Sequence, residues 1–181
     1  MMTTILTNSM QPYSLVSNSK YQVFENFLDD PDEVLEFSKS SNYYTAKQYA
    51  EYNKSESIGK WPGLRTKNLM FELPEVVNKI QNMFDVKVGW ITFYKHLLEQ
   101  NISAPMPHID KAWDFSGVIY LEGNGGTWID GDEVPFKYNR AVCFNANVPH
   151  HPLHGNTDRT VITFFSWFKY ATYSVAVKYL F

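Results

Sequence analysis

The chain of 181 residues has one cysteine, Cys143, and no excess of basic residues. A single cysteine excludes an intramolecular disulfide, so folding does not require an oxidising compartment. No apolar run reaches the roughly 20 residues of a membrane span. The first residues also lack the basic segment and apolar core of a secretion signal. We therefore expect a cytoplasmic protein without a membrane partner.

The charges are close to balance, with 16 Lys and Arg against 19 Asp and Glu. A net charge of −3 provides no general basic surface for a phosphate backbone, so it argues against nucleic acid as a partner. The hydrophobic content is 44% and the aromatic content is 17%, which is typical of a globular protein with a sizeable core. We expect one domain covering residues 1–181.

Helical signals come first along the chain and strand signals come second. We interpret residues 1–18 as a polar N-terminal arm, 19–84 as a helical support region and 85–181 as the catalytic core. Helices followed by many short strands predict an α+β fold, in which helices cover a sheet sandwich or barrel.

The support region contains one predicted strand, two predicted helices and a polar segment. Residues 21–28 alternate between apolar and polar types as a strand does. Asp30 and Pro31 are suited to the start of a helix over 31–41, and apolar residues at helical spacing predict a second helix over 73–84. The Gly- and Pro-punctuated stretch 45–70 predicts a long surface loop.

Five short β-rich segments follow residue 85, with turn residues between them. They are VKVGWITFYKHL, FSGVIYLEG, GGTWID, AVCFNAN and RTVITFFSWF.

A histidine and an aspartate lie one residue apart, directly before the second of these segments. On a strand, His108 and Asp110 project to the same face. A third metal ligand would come most easily from His150, His151 or His154. Two imidazoles and a carboxylate suit non-haem Fe(II) because they leave positions open for substrate and oxygen, although zinc accepts the same ligands.

Arg159 stands at the start of the last β-rich segment, on the strand face of Val161, Thr163 and Phe165. An arginine in an apolar face is costly unless an anion meets it. Its planar fork matches a carboxylate. A dicarboxylate that chelates a metal at one end and contacts Arg159 at the other would account for both features.

The order His-x-Asp, His, Arg resembles the 2-oxoglutarate- and Fe(II)-dependent dioxygenases, in particular their prolyl-hydroxylase-like branch. The resemblance covers residues 88–168 and includes ITFYKHLLEQNISAPMPHID, SGVIYLEG, GGTWID and YNRAVCFNANVPHHP. Upstream, FENFLDDPDEVLEF and WPGLRT are similar to small phage-encoded or marine-bacterial proteins of this type. The resemblance implies a double-stranded β-helix, or jelly roll, with the N-terminal helices packed on one sheet.

The resemblance also implies a ligand set. His108, Asp110 and His150 would hold Fe(II), with His151 as the alternative distal ligand. His150 precedes Arg159 by nine residues, His151 by eight and His154 by five. The first of these spacings is the most similar to the family pattern.

The co-substrates implied are 2-oxoglutarate and O2. Arg159 would bind the 5-carboxylate of 2-oxoglutarate, with Tyr120 and Tyr94 close to this co-substrate. The reaction would yield succinate and CO2 and hydroxylate a C–H bond. The substrate itself is open: a peptide, an amino acid or another small molecule.

Two other classes of protein remain open at this point. A cupin-like metal-binding module, or a catalytically silent relative, would hold a metal without 2-oxoglutarate. A metal-free structural jelly roll would need neither ligand. WPGLRT likewise has two readings, since Trp61 and Arg65 belong either to a substrate mouth or to a structural turn.

Overall fold

The computed structural model describes residues 20–54, 61–98 and 106–169. The predicted arm over 1–18 lies outside these ranges. The described elements are β1 (Tyr21–Phe24), α1 (Pro31–Ser40), α2 (Ala46–Tyr52), β2 (Leu64–Arg65), α3 (Pro74–Phe84), β3 (Val86–His96), β4 (Phe115–Glu122), β5 (Gly126–Ile129), β6 (Asp132–Pro135), β7 (Ala141–Asn145), β8 (His150–Leu153) and β9 (Arg159–Phe168). No helix within the described ranges is long and apolar enough to cross a membrane.

Two helices form where the sequence predicts them. At the start of α1 the Asp30 carboxylate accepts a hydrogen bond from the amide of Glu33, and Pro31 occupies the first turn. In α3 the apolar residues at helical spacing are buried, and Ile80 is completely enclosed. The predicted strand over 21–28 is shorter than expected. It ends at Phe24, and the backbone turns at Asn26, whose φ is 49°.

The prediction of a loop over 45–70 is wrong in part, because α2 and β2 form within it. The helix α2 begins with a capping box between Thr45 and Gln48, which satisfies its first free amides. Tyr49 and Ala50 are the buried residues on the inner side of this helix. A seven-residue helix with two buried residues has too little periodic signal to be recognised in the sequence.

The strands form two antiparallel sheets. The large sheet has the order β1-β7-β4-β9-β3-β2, and the small sheet has the order β6-β5-β8. An isolated bridge between His108 and His150 extends the small sheet beyond β8. Two antiparallel sheets and three helices are consistent with the predicted α+β double-stranded β-helix.

The large sheet is buried on both faces. One face packs against α1 and α3 and forms the helix-side core, which includes Ile80, Phe84, Ile91, Phe93, Phe115, Ile119, Ile162 and Phe164. The other face turns toward the small sheet and forms the inter-sheet core, which consists of Tyr120, Ile129, Val134, Val142, Phe144 and Val161. Because side chains alternate along a strand, β9 contributes Ile162 to the first core and Val161 to the second. This alternation turns Arg159 away from the helices.

Candidate metal centre

Backbone hydrogen bonds bring His108, Asp110 and His150 together. The amide of His108 donates to the carbonyl of His150 at 3.1 Å, and the amide of His150 donates back at 3.0 Å. The amide of Asp110 donates to the carbonyl of Ala146 at 2.8 Å. The segment that carries His-x-Asp is therefore fixed to the β7–β8 region by main-chain contacts.

The three side chains offer ligand atoms that all lie within 4.8 Å of one another. His150 Nε2 is 3.3 Å from Asp110 Oδ2, and His108 Nε2 is 4.0 Å from Asp110 Oδ1. The side chain of His108 is 54% exposed, whereas those of Asp110 and His150 are 15% and 9% exposed. The group has one open side, at His108.

Neighbouring groups orient two of these side chains. His150 Nδ1 lies 2.8 Å from the carbonyl oxygen of Val148, which can only accept, so Nδ1 carries a proton and Nε2 is the nitrogen that faces the other two candidate ligands. Ser116 Oγ donates to Asp110 Oδ2 at 3.0 Å. Burial, followed by the neighbouring His150, lowers the pKa of His108 and favours its neutral imidazole.

This donor set fits a divalent transition metal. Two imidazole nitrogens and one carboxylate on the same side of a site are the ligands of a facial triad, which leaves further coordination positions free. The same three ligands suit zinc, so the chemistry beyond metal binding depends on the surrounding cavity.

His151 and His154 lie outside the group of three. The His151 ring stacks on Trp128 with centroids 5.0 Å apart, and its Nδ1 lies 3.0 Å from the carbonyl oxygen of Pro152. His154 is exposed beyond the end of β8.

The three candidate ligands line a cavity of about 740 Å³. Arg159, Val161, Thr163 and Phe165 form part of its wall, as the shared strand face predicts. The cavity therefore joins the candidate metal centre to the buried arginine.

Arg159 is 4% exposed and has no carboxylate within 4.0 Å among the described residues. Its Nη1 donates to the carbonyl of Gly126 and, at 3.4 Å, to that of Leu153, while its Nε has no partner in the part of the chain that the structure describes. Burial lowers the pKa of this guanidinium. An anion in the cavity would supply the missing counter-charge.

The structure brings Tyr94 to the cavity but not Tyr120. Tyr94 lines the wall and donates its hydroxyl to the carbonyl of Pro62. Tyr120 is fully enclosed in the inter-sheet core, where its hydroxyl is 2.8 Å from Thr127 Oγ1. Thr127, unlike Tyr120, lines the cavity. Burial raises the pKa of both tyrosines.

The predicted set of ligands and co-substrate contacts does not include Ser116, His96 or Arg65, which also line the cavity. Ser116 contacts the Asp110 carboxylate, His96 faces Arg159 across β3 and β9, and Arg65 lies on the edge strand β2. The alternation along β3 places His96 on the face of Tyr94, which is a signal available in the sequence. No periodic pattern in the sequence indicates that Ser116 contacts Asp110.

No protein-family model matches the sequence, and no curated protein matches it. Solved structures do match the fold. A prolyl hydroxylase from Trichoplax adhaerens, in complex with a hypoxia inducible factor oxygen degradation domain peptide fragment, is 14% identical over 83% of this chain and 84% of its own, with a TM-score of 0.53. A 2OG-Fe(II) oxygenase family oxidoreductase from Burkholderia pseudomallei is 10% identical over 86% of this chain and 94% of its own, with a TM-score of 0.56.

A third match is the epimerase SnoN in complex with Fe3+, alpha ketoglutarate and nogalamycin RO. It is 10% identical over 81% of this chain and 78% of its own, with a TM-score of 0.54. At sequence identities this low, the matches show similarity of fold alone. The chain is structurally similar to 2OG-Fe(II) oxygenases, prolyl hydroxylases among them, and carries a His-x-Asp…His group of the facial-triad type.

Proposed function

We propose that the protein is a 2-oxoglutarate- and Fe(II)-dependent oxygenase that hydroxylates a C–H bond of its substrate. The observation that carries this proposal is the meeting, in one cavity, of a three-ligand group with a buried arginine that lacks a carboxylate partner in the described ranges. Residues 85–181 would form the catalytic core, and the whole chain would form a single domain. The pairing of β1, from the support region, with β7 in the large sheet supports a single domain.

His108, Asp110 and His150 would hold Fe(II). When bound with 2-oxoglutarate and O2, Fe(II) supplies C–H oxidation coupled to decarboxylation of 2-oxoglutarate to succinate. The protein contributes ligand geometry: the main-chain bridge fixes His108 against His150, and Ser116 holds one carboxylate oxygen of Asp110. His151 remains the alternative distal ligand.

Arg159 would bind the 5-carboxylate of 2-oxoglutarate through its guanidinium fork. Its burial favours this role, because a carboxylate that reaches it exchanges water for a charge-assisted contact in a site of low dielectric. Tyr94 closes the wall beside it through its contact with Pro62. Tyr120 is not part of the cavity wall and would act on the site through its contact with Thr127 and its electrostatic interaction with Arg159.

The structural relatives differ in what they bind. The Trichoplax protein is in complex with a peptide fragment, and SnoN is in complex with a small molecule, nogalamycin RO. A peptide, an amino acid and another small molecule are therefore all substrate classes compatible with this fold.

An anaerobic titration of metal-stripped protein with Fe(II), with and without 2-oxoglutarate, tests the proposal through the visible absorption of the chelate. We expect a band that disappears in His108→Ala and weakens in Arg159→Ala. His154→Ala is the matched control for the metal ligands, because His154 is exposed beyond β8, and His150→Ala and His151→Ala are compared to identify the distal ligand. Arg140→Ala is the control for the arginine, because Arg140 pairs with Glu25 away from the cavity.

Metal binding without a chelate band would identify a cupin-like metal-binding module instead. Loss of the band in His151→Ala but not in His150→Ala would assign the distal position to His151. Absence of metal binding by folded protein would leave a structural jelly roll and overturn the proposal.

A further inference from the structure

A second arginine lines the same cavity. Arg65 belongs to β2, the edge strand of the large sheet, where it pairs with Tyr94 of β3. Trp61, four residues earlier, also lines the cavity wall. These two residues come from the segment that the sequence assigns either to a substrate mouth or to a structural turn.

Aromatic rings surround the Arg65 guanidinium. Its central carbon lies 3.4 Å from the centre of the Trp61 ring, 4.7 Å from that of Tyr49 and 6.0 Å from that of Trp90. The faces of such rings attract the guanidinium cation through cation–π interactions. The ring faces supply no acceptor for its in-plane N–H donors.

The buried Nε of Arg65 has no hydrogen-bond partner in the described part of the chain. No carboxylate of residues 20–54, 61–98 or 106–169 lies within 4.0 Å of this guanidinium. The indole Nε1 of Trp61 is likewise without a partner. A guanidinium and an indole can only donate, so the neighbouring pair lacks an acceptor. Burial lowers the pKa of Arg65, which is the signature of a poorly compensated cation.

Arg65 and Arg159 are separate positions. β2 and β9 lie on opposite sides of β3, and adjacent strands are about 4.8 Å apart, so the two backbones are roughly 10 Å apart. Tyr94 belongs to β3, the strand between them, and its hydroxyl is within electrostatic reach of both guanidinium groups. A co-substrate carboxylate held by Arg159 therefore leaves Arg65 available to another molecule.

We propose that Arg65 and Trp61 form a second anion subsite, which binds the carboxylate of a small carboxylic acid substrate; as a substrate subsite, it rests on the proposed oxygenase function. The planar fork favours a planar carboxylate over a phosphate, which carries more charge than one guanidinium and one indole can meet. The cavity volume of about 740 Å³ is within the range of small-molecule sites.

The test uses matched pairs of neutral and anionic probes. Acetate, butyrate and benzoate are titrated calorimetrically, without oxygen, into the protein saturated with Fe(II) and 2-oxoglutarate, and the corresponding amides are titrated in parallel. A second set of titrations uses the Arg159→Gln variant without metal or 2-oxoglutarate. This variant lacks the Arg159 guanidinium, which could otherwise bind the probes. We expect at least one carboxylate to bind saturably in both settings, and its amide to bind roughly tenfold to a hundredfold more weakly.

Arg65→Gln should remove this preference for the carboxylate, while leaving the 2-oxoglutarate chelate band unchanged. Trp61→Phe keeps the ring face but loses the N–H, so it should weaken binding by a smaller factor. Arg65→Lys keeps the charge without the fork and should bind with intermediate affinity. Thermal midpoints of the variants establish that they fold.

Equal binding of acids and amides, or carboxylate binding that survives Arg65→Gln, would overturn the subsite. Absence of binding by all six probes would overturn it as well. Loss of 2-oxoglutarate binding in Arg65→Gln would make Arg65 part of the co-substrate site and reject a separate one. Failure of the oxygenase proposal is a distinct result: the chelate band is missing, while Arg65-dependent carboxylate binding persists.

Discussion

His96 and Arg159 lie directly opposite each other in the pairing of β3 with β9, and both line the cavity. Burial, together with the adjacent Arg159, lowers the pKa of His96 to about 2. The imidazole is therefore neutral at physiological pH and does not compensate the arginine. Arg159, which has no counter-ion among the described residues, thus lies next to a group that can form a hydrogen bond with it but cannot neutralise its charge.

Replacing His96 by Asp should block the co-substrate position. The new carboxylate would face Arg159 and compete with 2-oxoglutarate for the same donors. We expect the affinity for 2-oxoglutarate, measured from the chelate absorption, to fall by more than about tenfold, the effect of losing one charge-assisted contact. His96→Asn is the control, since it adds no charge. Equal affinities in the two variants would contradict the assignment of Arg159.

Removing the Ser116 hydroxyl should weaken metal binding. Ser116→Ala deletes the donor that holds Asp110 Oδ2, and such supporting contacts are typically worth about 10–100-fold in metal affinity. The measurement is competition for the metal against a calibrated chelator. Ser166→Ala is the matched control, because Ser166 donates to the carbonyl of Phe115 instead. Similar affinities in both variants would remove Ser116 from the metal centre.

Asn139 connects the β6–β7 turn to the N-terminal part of the chain. Its φ is 57°, and its buried side chain accepts from the amide of Leu28 at 2.7 Å and donates to the carbonyl of Leu28 at 3.0 Å. Asn139→Asp removes the donor, so we expect the free energy of unfolding to fall by about 1–3 kcal/mol. Asn26→Asp, at an exposed left-handed position, is the control for urea denaturation. Equal losses would contradict this role.

Glu25 should contribute stability only above acidic pH. Hydrogen bonds from Arg140, at 2.6 Å, and from Lys137, followed by their charges, hold the pKa of Glu25 below its ordinary value of 4.5. A lowered carboxyl pKa means that the contribution is complete above pH 4.5 and is lost as the pH falls through the folded-state pKa.

The thermal midpoint of Glu25→Gln should therefore lie below that of the wild type at neutral pH, and the two should converge in acid. Exposed Glu133, on β6, is replaced by Gln as the control. A difference that is constant with pH would show that packing, rather than charge, explains the effect.

Local signals in the sequence predicted the parts of the fold that depend on nearest neighbours. Asp30 and Pro31 placed the start of α1, and the alternation of strands placed Arg159 on the cavity face. The polar strand β6 and the short helix α2 have too few buried residues to produce such a signal. Their formation depends on pairing with β5 and on packing against Trp61 and Trp90.

Long-range contacts explain the remaining differences at the site. The spacing of His108 and Asp110 indicated a shared face, but their approach to His150 depends on a bridge between segments 42 residues apart. Tyr120 illustrates the opposite case. It lies on a strand next to the cavity, yet its large ring is fully enclosed in the inter-sheet core, a position that alternation alone does not distinguish.

The three candidate ligands are unequally exposed, so a metal ion would exchange with solvent from one side of the centre. Asp110 and His150 are enclosed, whereas more than half of the His108 side chain is open to solvent. A metal ion would therefore enter and leave past His108. A chelator that removes the ion would compete first with this one imidazole, so the rate of metal release should depend on His108 more than on either enclosed ligand.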